Sequence, residues 1–126
     1  MKENALFSLC FTGCPCRYHG IPVPSPSKIK NLGSKYNLIL VCPEQISGLP
    51  TPRPAAPLRN KKGQSIKNVK GEDVSRYFVK GAEETLRIAK TFGCKKAFLC
   101  KNSPSCDASG FTGELLKEKG IEVINL

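Results

Sequence analysis

Short apolar runs alternate along the chain with longer stretches of mixed polarity. Ala5–Cys10 (ALFSLC), Leu38–Val41 (LILV) and Ala97–Cys100 (AFLC) are each four to six residues long and bounded by loop-forming residues. That length and boundary pattern predicts buried strands. Ile121–Ile124 predicts a fourth. Between the second and third runs, Val74, Phe78, Ala82, Leu86 and Ala89 fall three or four apart. They make one apolar stripe on a helix over Asp73–Phe92, with Gly93 as its stop. Ser27–Tyr36 predicts a short helix weakened by Gly33. Thr112 is placed to N-cap a last helix through Lys119, ending at Gly120. Buried strands alternating with amphipathic helices imply a mostly parallel sheet covered on both faces. The expectation is one α/β domain over 1–126: a three-layer, Rossmann-like fold with four strands and a small hairpin excursion over 58–71.

Two loops interrupt this alternation. Residues 11–26 contain Gly13, Pro15, Gly20, Pro22, Pro24 and Pro26, and residues 42–57 are similarly rich in Pro and Gly. Long ordered loops in a small domain usually carry function. The chain has 126 residues, 40% apolar and 24% charged, which is enough to bury a core without cross-links. No segment approaches the roughly 18–20 apolar residues that span a bilayer, so no membrane partner is expected. Lys and Arg outnumber Asp and Glu by 20 to 10, a net charge of +10 that favours an anionic partner. Trp is absent and aromatics are 7%, which argues against a surface built on stacking.

Seven cysteines change the picture most. With no secretory leader in the sequence, the expected compartment is the cytoplasm, where clustered cysteines bind metal or do thiol chemistry. Cys10 ends the first strand, Cys42 directly follows the second, and Cys106 lies in the loop after the third. In a parallel sheet these carboxyl ends share one edge, where open α/β folds bind ligands. Converging thiolates select zinc, copper(I) or an iron–sulfur cluster. Zinc prefers close pairs such as C-x2-C; the nearest spacing here is Cys14-x-Cys16, which His19 could complete. A cluster held by three cysteines instead leaves one iron open for Lewis-acid chemistry. Cys94 and Cys100 read as core cysteines. Cys14 and Cys16 read as bystanders, or one of them as a fourth ligand.

Several segments carry a resemblance. CFTGCPCRYHG (10–20), VCPEQISGLPTPRP (41–54), GAEETLRIA (81–89), NSPSC (102–106) and SGFTGELL (109–116) resemble the thiouracil desulfidase family, in order and over nearly the whole chain. The resemblance implies a 4Fe–4S cluster on Cys10, Cys42 and Cys106. It implies hydrolytic, non-redox desulfuration of thiolated uracils to uracil product and hydrogen sulfide, with 4-thiouridine monophosphate as the natural substrate. Glu44 and Ser103 match positions for proton transfer and water placement. Departures are His19 for the usual aspartate, Asp107 where glycine is common, CFTG for CLLG, and the additional Cys14. Arg17 and Tyr18, after the first cysteine loop, are candidates to hold a substrate phosphate and base. Arg53 is a second phosphate candidate, or a structural ion pair with Glu44. The competing expectation is a non-catalytic module that binds thiolated tRNA through its charge, or carries sulfur to it.

Overall fold

The computed structural model describes residues 1–59 and 63–126. Four strands, β1 (Glu3–Ser8), β2 (Tyr36–Val41), β3 (Lys96–Leu99) and β4 (Glu122–Asn125), form one sheet in the order β2-β1-β3-β4. Every pairing is parallel. The helices are α1 (Pro26–Gly33), α2 (Pro43–Ile46), α3 (Ser75–Thr91) and α4 (Phe111–Glu118). The expected α/β architecture is therefore present.

Strand alternation explains the layers. Leu6, Val41, Ala97 and Leu99 face one way and pack with Leu86 and Ala89 of α3 and Leu116 of α4. Ala5, Phe7 and Phe98 face the other way, toward Ile29 and Leu32 of α1. Leu6 and Phe7 are fully buried on opposite faces, each worth about 1.5–3 kcal/mol of transfer free energy. β1 and β2 begin earlier than their apolar runs because polar residues continue the register. Asn4 pairs with Asn37, whose Nδ2 donates to Asn4 Oδ1 at 3.1 Å.

Three expectations need correction. Among the described residues of the 58–71 excursion no stranded hairpin forms. Its described part carries one antiparallel bridge, Lys67 to Asp73; residues 60–62 lie outside the described residues. Asn68 Oδ1 makes the turn by accepting from the amides of Lys70 and Glu72 at 2.9 and 3.1 Å, while Ile66 and Val74 join Phe78 and Phe111 in a small third core. Thr112 is not a cap: α4 begins at Phe111 after Gly110, and Thr112 is fully buried. The first amides of α4 instead reach loop carbonyls, Phe111 N to Pro104 O at 3.0 Å and Thr112 N to Ser105 O at 3.0 Å. The loop supplies what a capping hydroxyl would. The short α2, opened by Pro43 at its first position, interrupts the loop expected over 42–57.

Gly81 shows why the helical stripe is wider than the apolar residues alone suggest. It is buried on α3, and an added Cβ would collide with the carbonyl of Pro43, between Cys42 and Glu44. Glycine is needed for this close helix approach, not for a turn. Gly81→Ala is expected to lower unfolding free energy by about 2 kcal/mol in urea titration, although alanine is worth about 1 kcal/mol more than glycine in a helix. A variant as stable as the parent would contradict the contact.

Candidate functional site

The strand order reverses between β1 and β3, which opens a crevice at their carboxyl ends. A cavity of about 480 Å³ occupies that edge. Cys10 reaches it from the turn after β1, Cys42 from the end of β2, and Cys106 from the loop after β3. Glu44, Ser103, Arg17, Tyr18 and Arg53 line the same cavity. The three expected ligands and the five expected catalytic and substrate contacts thus surround one space.

Two further thiols join them. Cys16, 1% exposed, and Cys100 also line the cavity. Cys16 neighbours both Cys10 and Cys42, and Cys100 neighbours Cys10; Cys42 Sγ lies 3.9 Å from Cys16 O and Cys100 Sγ 3.5 Å from Lys101 O. These sulfhydryls hold Cys10 far below the ordinary thiol pKa against the cost of burial, and Arg17 adds to the effect. Cys42 is lowered chiefly by Cys16. Cys16 and Cys100 are pushed up in turn by their thiol neighbours and by burial. Burial pushes Cys106 up, and the Ser8 hydroxyl offsets a small part of that. Cys100 is therefore a cavity residue rather than core filler, because its strand ends at the crevice. Cys94 is core, packed with Leu86 and Ile121 and raised by burial. Cys14 packs beside the Phe7 cluster and does not line the cavity. All seven cysteines are free.

The donor set suits a polynuclear group better than a single ion. Among the described residues, no three His, Cys, Asp or Glu side chains converge on a point that one metal ion could occupy. The zinc reading on Cys14, Cys16 and His19 fails accordingly, and His19 Nδ1 accepts from the Ile21 amide at 2.9 Å. Soft thiols instead ring a wide cavity. Arg17 Nε is buried beside them without a hydrogen-bond partner. Burial alone would lower the Arg17 pKa, but the neighbouring Cys100 and Cys10 sulfurs more than compensate and hold it above its usual value. An anionic sulfur-rich group would satisfy that orphaned donor.

Glu44 is held from two sides. Arg53 Nε donates to Oε1 at 3.0 Å, and Ser105 Oγ donates to Oε2 at 3.2 Å. Arg53 also reaches Pro50 O at 3.2 Å and Thr51 Oγ1 at 2.9 Å through Nη1, and Cys16 O at 2.9 Å through Nη2. Its side chain is 4% exposed. Arg53 is thus a strut that ties the first cysteine loop to the Glu44 loop. The structural alternative replaces the phosphate-contact expectation for it: each of its three nitrogens already donates to a protein partner. Ser103 Oγ accepts from the amides of Ser105 and Cys106 at 3.2 and 3.1 Å, which bends the chain toward Cys106 and leaves the hydroxyl proton available. Asp107 closes the same loop, accepting from Asn102 N at 2.7 Å and Ser109 N at 3.0 Å. Sequence reasoning missed Ser8 and Ser105. Ser105 had a signal, its place in NSPSC; Ser8, inside an apolar run, had none.

Arg53→Lys keeps the charge but not the planar fork. It is expected to lower unfolding free energy by about 2 kcal/mol by losing several buried hydrogen bonds. An unchanged stability with a raised KM would instead make Arg53 a substrate contact.

The chain is similar to known proteins over nearly its whole length. The structure of a protein described as the [4Fe-4S]-dependent thiouracil desulfidase TudS superposes with a TM-score of 0.86 at 33% identity, over 98% of this chain and 91% of that one. YbbK, an uncharacterized protein of Bacillus subtilis (strain 168), is 33% identical over 142 aligned positions, 95% of this chain and 93% of its own length. The family model for 2-thiouracil desulfurase matches residues 5–125. With the family's sequence pattern, its fold and a thiol-lined cavity at the strand edge together in one chain, the protein belongs to the 2-thiouracil desulfurase family.

Proposed function

We propose that this protein holds a 4Fe–4S cluster on Cys10, Cys42 and Cys106 and hydrolyses the C–S bond of thiolated uracil, with 4-thiouridine monophosphate as natural substrate. The observation that carries this reading is the convergence of those thiols with Glu44 and Ser103 around one cavity. The likeness to TudS, a [4Fe-4S]-dependent enzyme by description, supports the cofactor. Cys10, Cys42 and Cys106 would hold such a cluster, which would supply Lewis-acid chemistry toward a soft thiocarbonyl sulfur.

The chain's own groups do the rest. Glu44 takes a proton from the attacking water, with its carboxylate fixed by Arg53 and Ser105. Ser103 donates its free hydroxyl proton to that water or to the oxygen forming on the ring carbon. Arg17 lies against the Cys10 sulfur and neutralises charge there. Tyr18, half exposed at the rim with its ring tilted 60° to that of His19 and 4.9 Å from it, covers the pyrimidine ring. Water replaces sulfur at carbon, sulfur leaves as hydrogen sulfide, and no net electron transfer is required. A set of free thiols suits the reducing cytoplasm, and a cavity of this size suits a small molecule. Among the described residues no helix is long and apolar enough to cross a membrane.

Anaerobically purified protein should contain iron and labile sulfide and release hydrogen sulfide from 4-thiouridine monophosphate. Cys106→Ala should lose both cluster and activity, while Cys14→Ala keeps both; a cluster-bearing, active Cys106→Ala protein would refute the ligand assignment. Glu44→Gln should retain the cluster but lose about 10²–10⁴ in kcat. Full activity in that variant would remove Glu44 from proton transfer.

A further inference from the structure

We infer that Asn125 is a positioning residue for Cys106: its carboxamide, at the carboxyl end of β4, clamps the backbone around that cysteine and so holds the third thiol at the cavity. The inference rests on the ligand assignment proposed above and deepens it. Asn125 lies beyond every segment that carries the family resemblance, the last of which ends at Leu116. The three thiols are not held alike. Cys10 and Cys42 stand close behind Ser8 and Val41, the last residues of β1 and β2, so strand register places them. Cys106 lies well past Leu99, the end of β3, inside a loop that runs on to α4 at Phe111. Its sulfur therefore depends on what ties that loop down.

Both polar groups of the Cys106 backbone are bound by side chains. Ser103 Oγ accepts from its amide at 3.1 Å, and Asn125 Nδ2 donates to its carbonyl at 3.0 Å. Asn125 Oδ1 accepts from the Ala108 amide at 2.8 Å. The same Nδ2 lies 3.3 Å from Leu99 O and 3.5 Å from Cys100 O. One carboxamide thus grips the loop on either side of Asp107 and joins it to the end of the strand it left. Asp107 instead closes the loop on itself, through Asn102 and Ser109. The partners also fix which residue fits. Carbonyls surround the nitrogen and an N–H faces the oxygen, so a carboxylate would meet the Cys106 carbonyl with an acceptor. Asn125 pairs with Leu99 in the β3–β4 register, which makes the sheet the fixed base of the clamp. Residues that orient a metal ligand from behind in this way are typically worth about 10–100-fold in metal affinity.

The test follows iron release from the cluster-loaded protein to a ferrous chelator without oxygen, and the electron paramagnetic resonance spectrum of the dithionite-reduced cluster. Asn125→Ala removes the whole clamp. Asn125→Asp keeps the acceptor for Ala108 and loses the donor to Cys106. Each should release iron about tenfold faster than the native protein and shift the g values of the reduced cluster. Asn37→Ala, which removes an asparagine contact at the amino end of β2, should leave both readouts native. Before cluster loading, Cys106 of Asn125→Ala should react with iodoacetamide faster, relative to core Cys94, than in the native protein, as read by mass spectrometry. Native release and native g values in both Asn125 variants overturn the inference. So does equal acceleration in Asn37→Ala, which would make the effect one of general stability. If the alanine variant does not fold, the aspartate variant decides. A native protein that takes up no iron would overturn the ligand assignment instead, and the alkylation arm would still decide whether Asn125 positions Cys106.

Discussion

All four strands pair in parallel, and the site depends on that constraint. Parallel pairing sends every strand's carboxyl end to one edge, so residues far apart in sequence meet there. Cys10, Cys42 and Cys100 each follow a strand directly or by one turn, and Cys106 follows within the β3 loop. The order β2-β1-β3-β4 adds the crevice between β1 and β3. A meander of the same strands would have put these thiols at opposite ends of the sheet.

Topology brings the loops to one edge; local packing sets their positions there. Gly81 lets α3 approach the Pro43 carbonyl, and Gly113 lets α4 approach the Asp107 carbonyl. Each contact anchors a loop that carries a cysteine. Arg53 then joins the Cys16 carbonyl to Glu44 and to its own loop. The two most specific sequence segments, CPE…GLPTPRP and NSPSC, meet at Glu44 through Arg53 and Ser105. Their specificity is thus a single polar network, not two independent motifs.

Much of this was readable from sequence because it follows from periodicity and placement. Buried strands and the α3 stripe are strong signals, and strand ends located the three thiols. What was not readable depends on contacts between distant segments. Cys100 looked like core because its run is apolar; only the strand order shows that it borders the crevice. Thr112 looked like a cap because its local sequence allows it, but loop carbonyls of Pro104 and Ser105 took that role. Arg53 could be read as a phosphate ligand or a strut from sequence, and its four side-chain hydrogen bonds decide for the strut.

The central claim is that Cys10, Cys42 and Cys106, and not Cys16 or Cys100, carry the cluster. Anomalous diffraction at the iron edge from crystals of anaerobically purified protein tests it most directly. The account predicts an iron–sulfur cluster bonded to those three sulfurs, with one iron lacking a protein ligand. A cluster closed by Cys16 or Cys100, or no iron in the cavity, would contradict it.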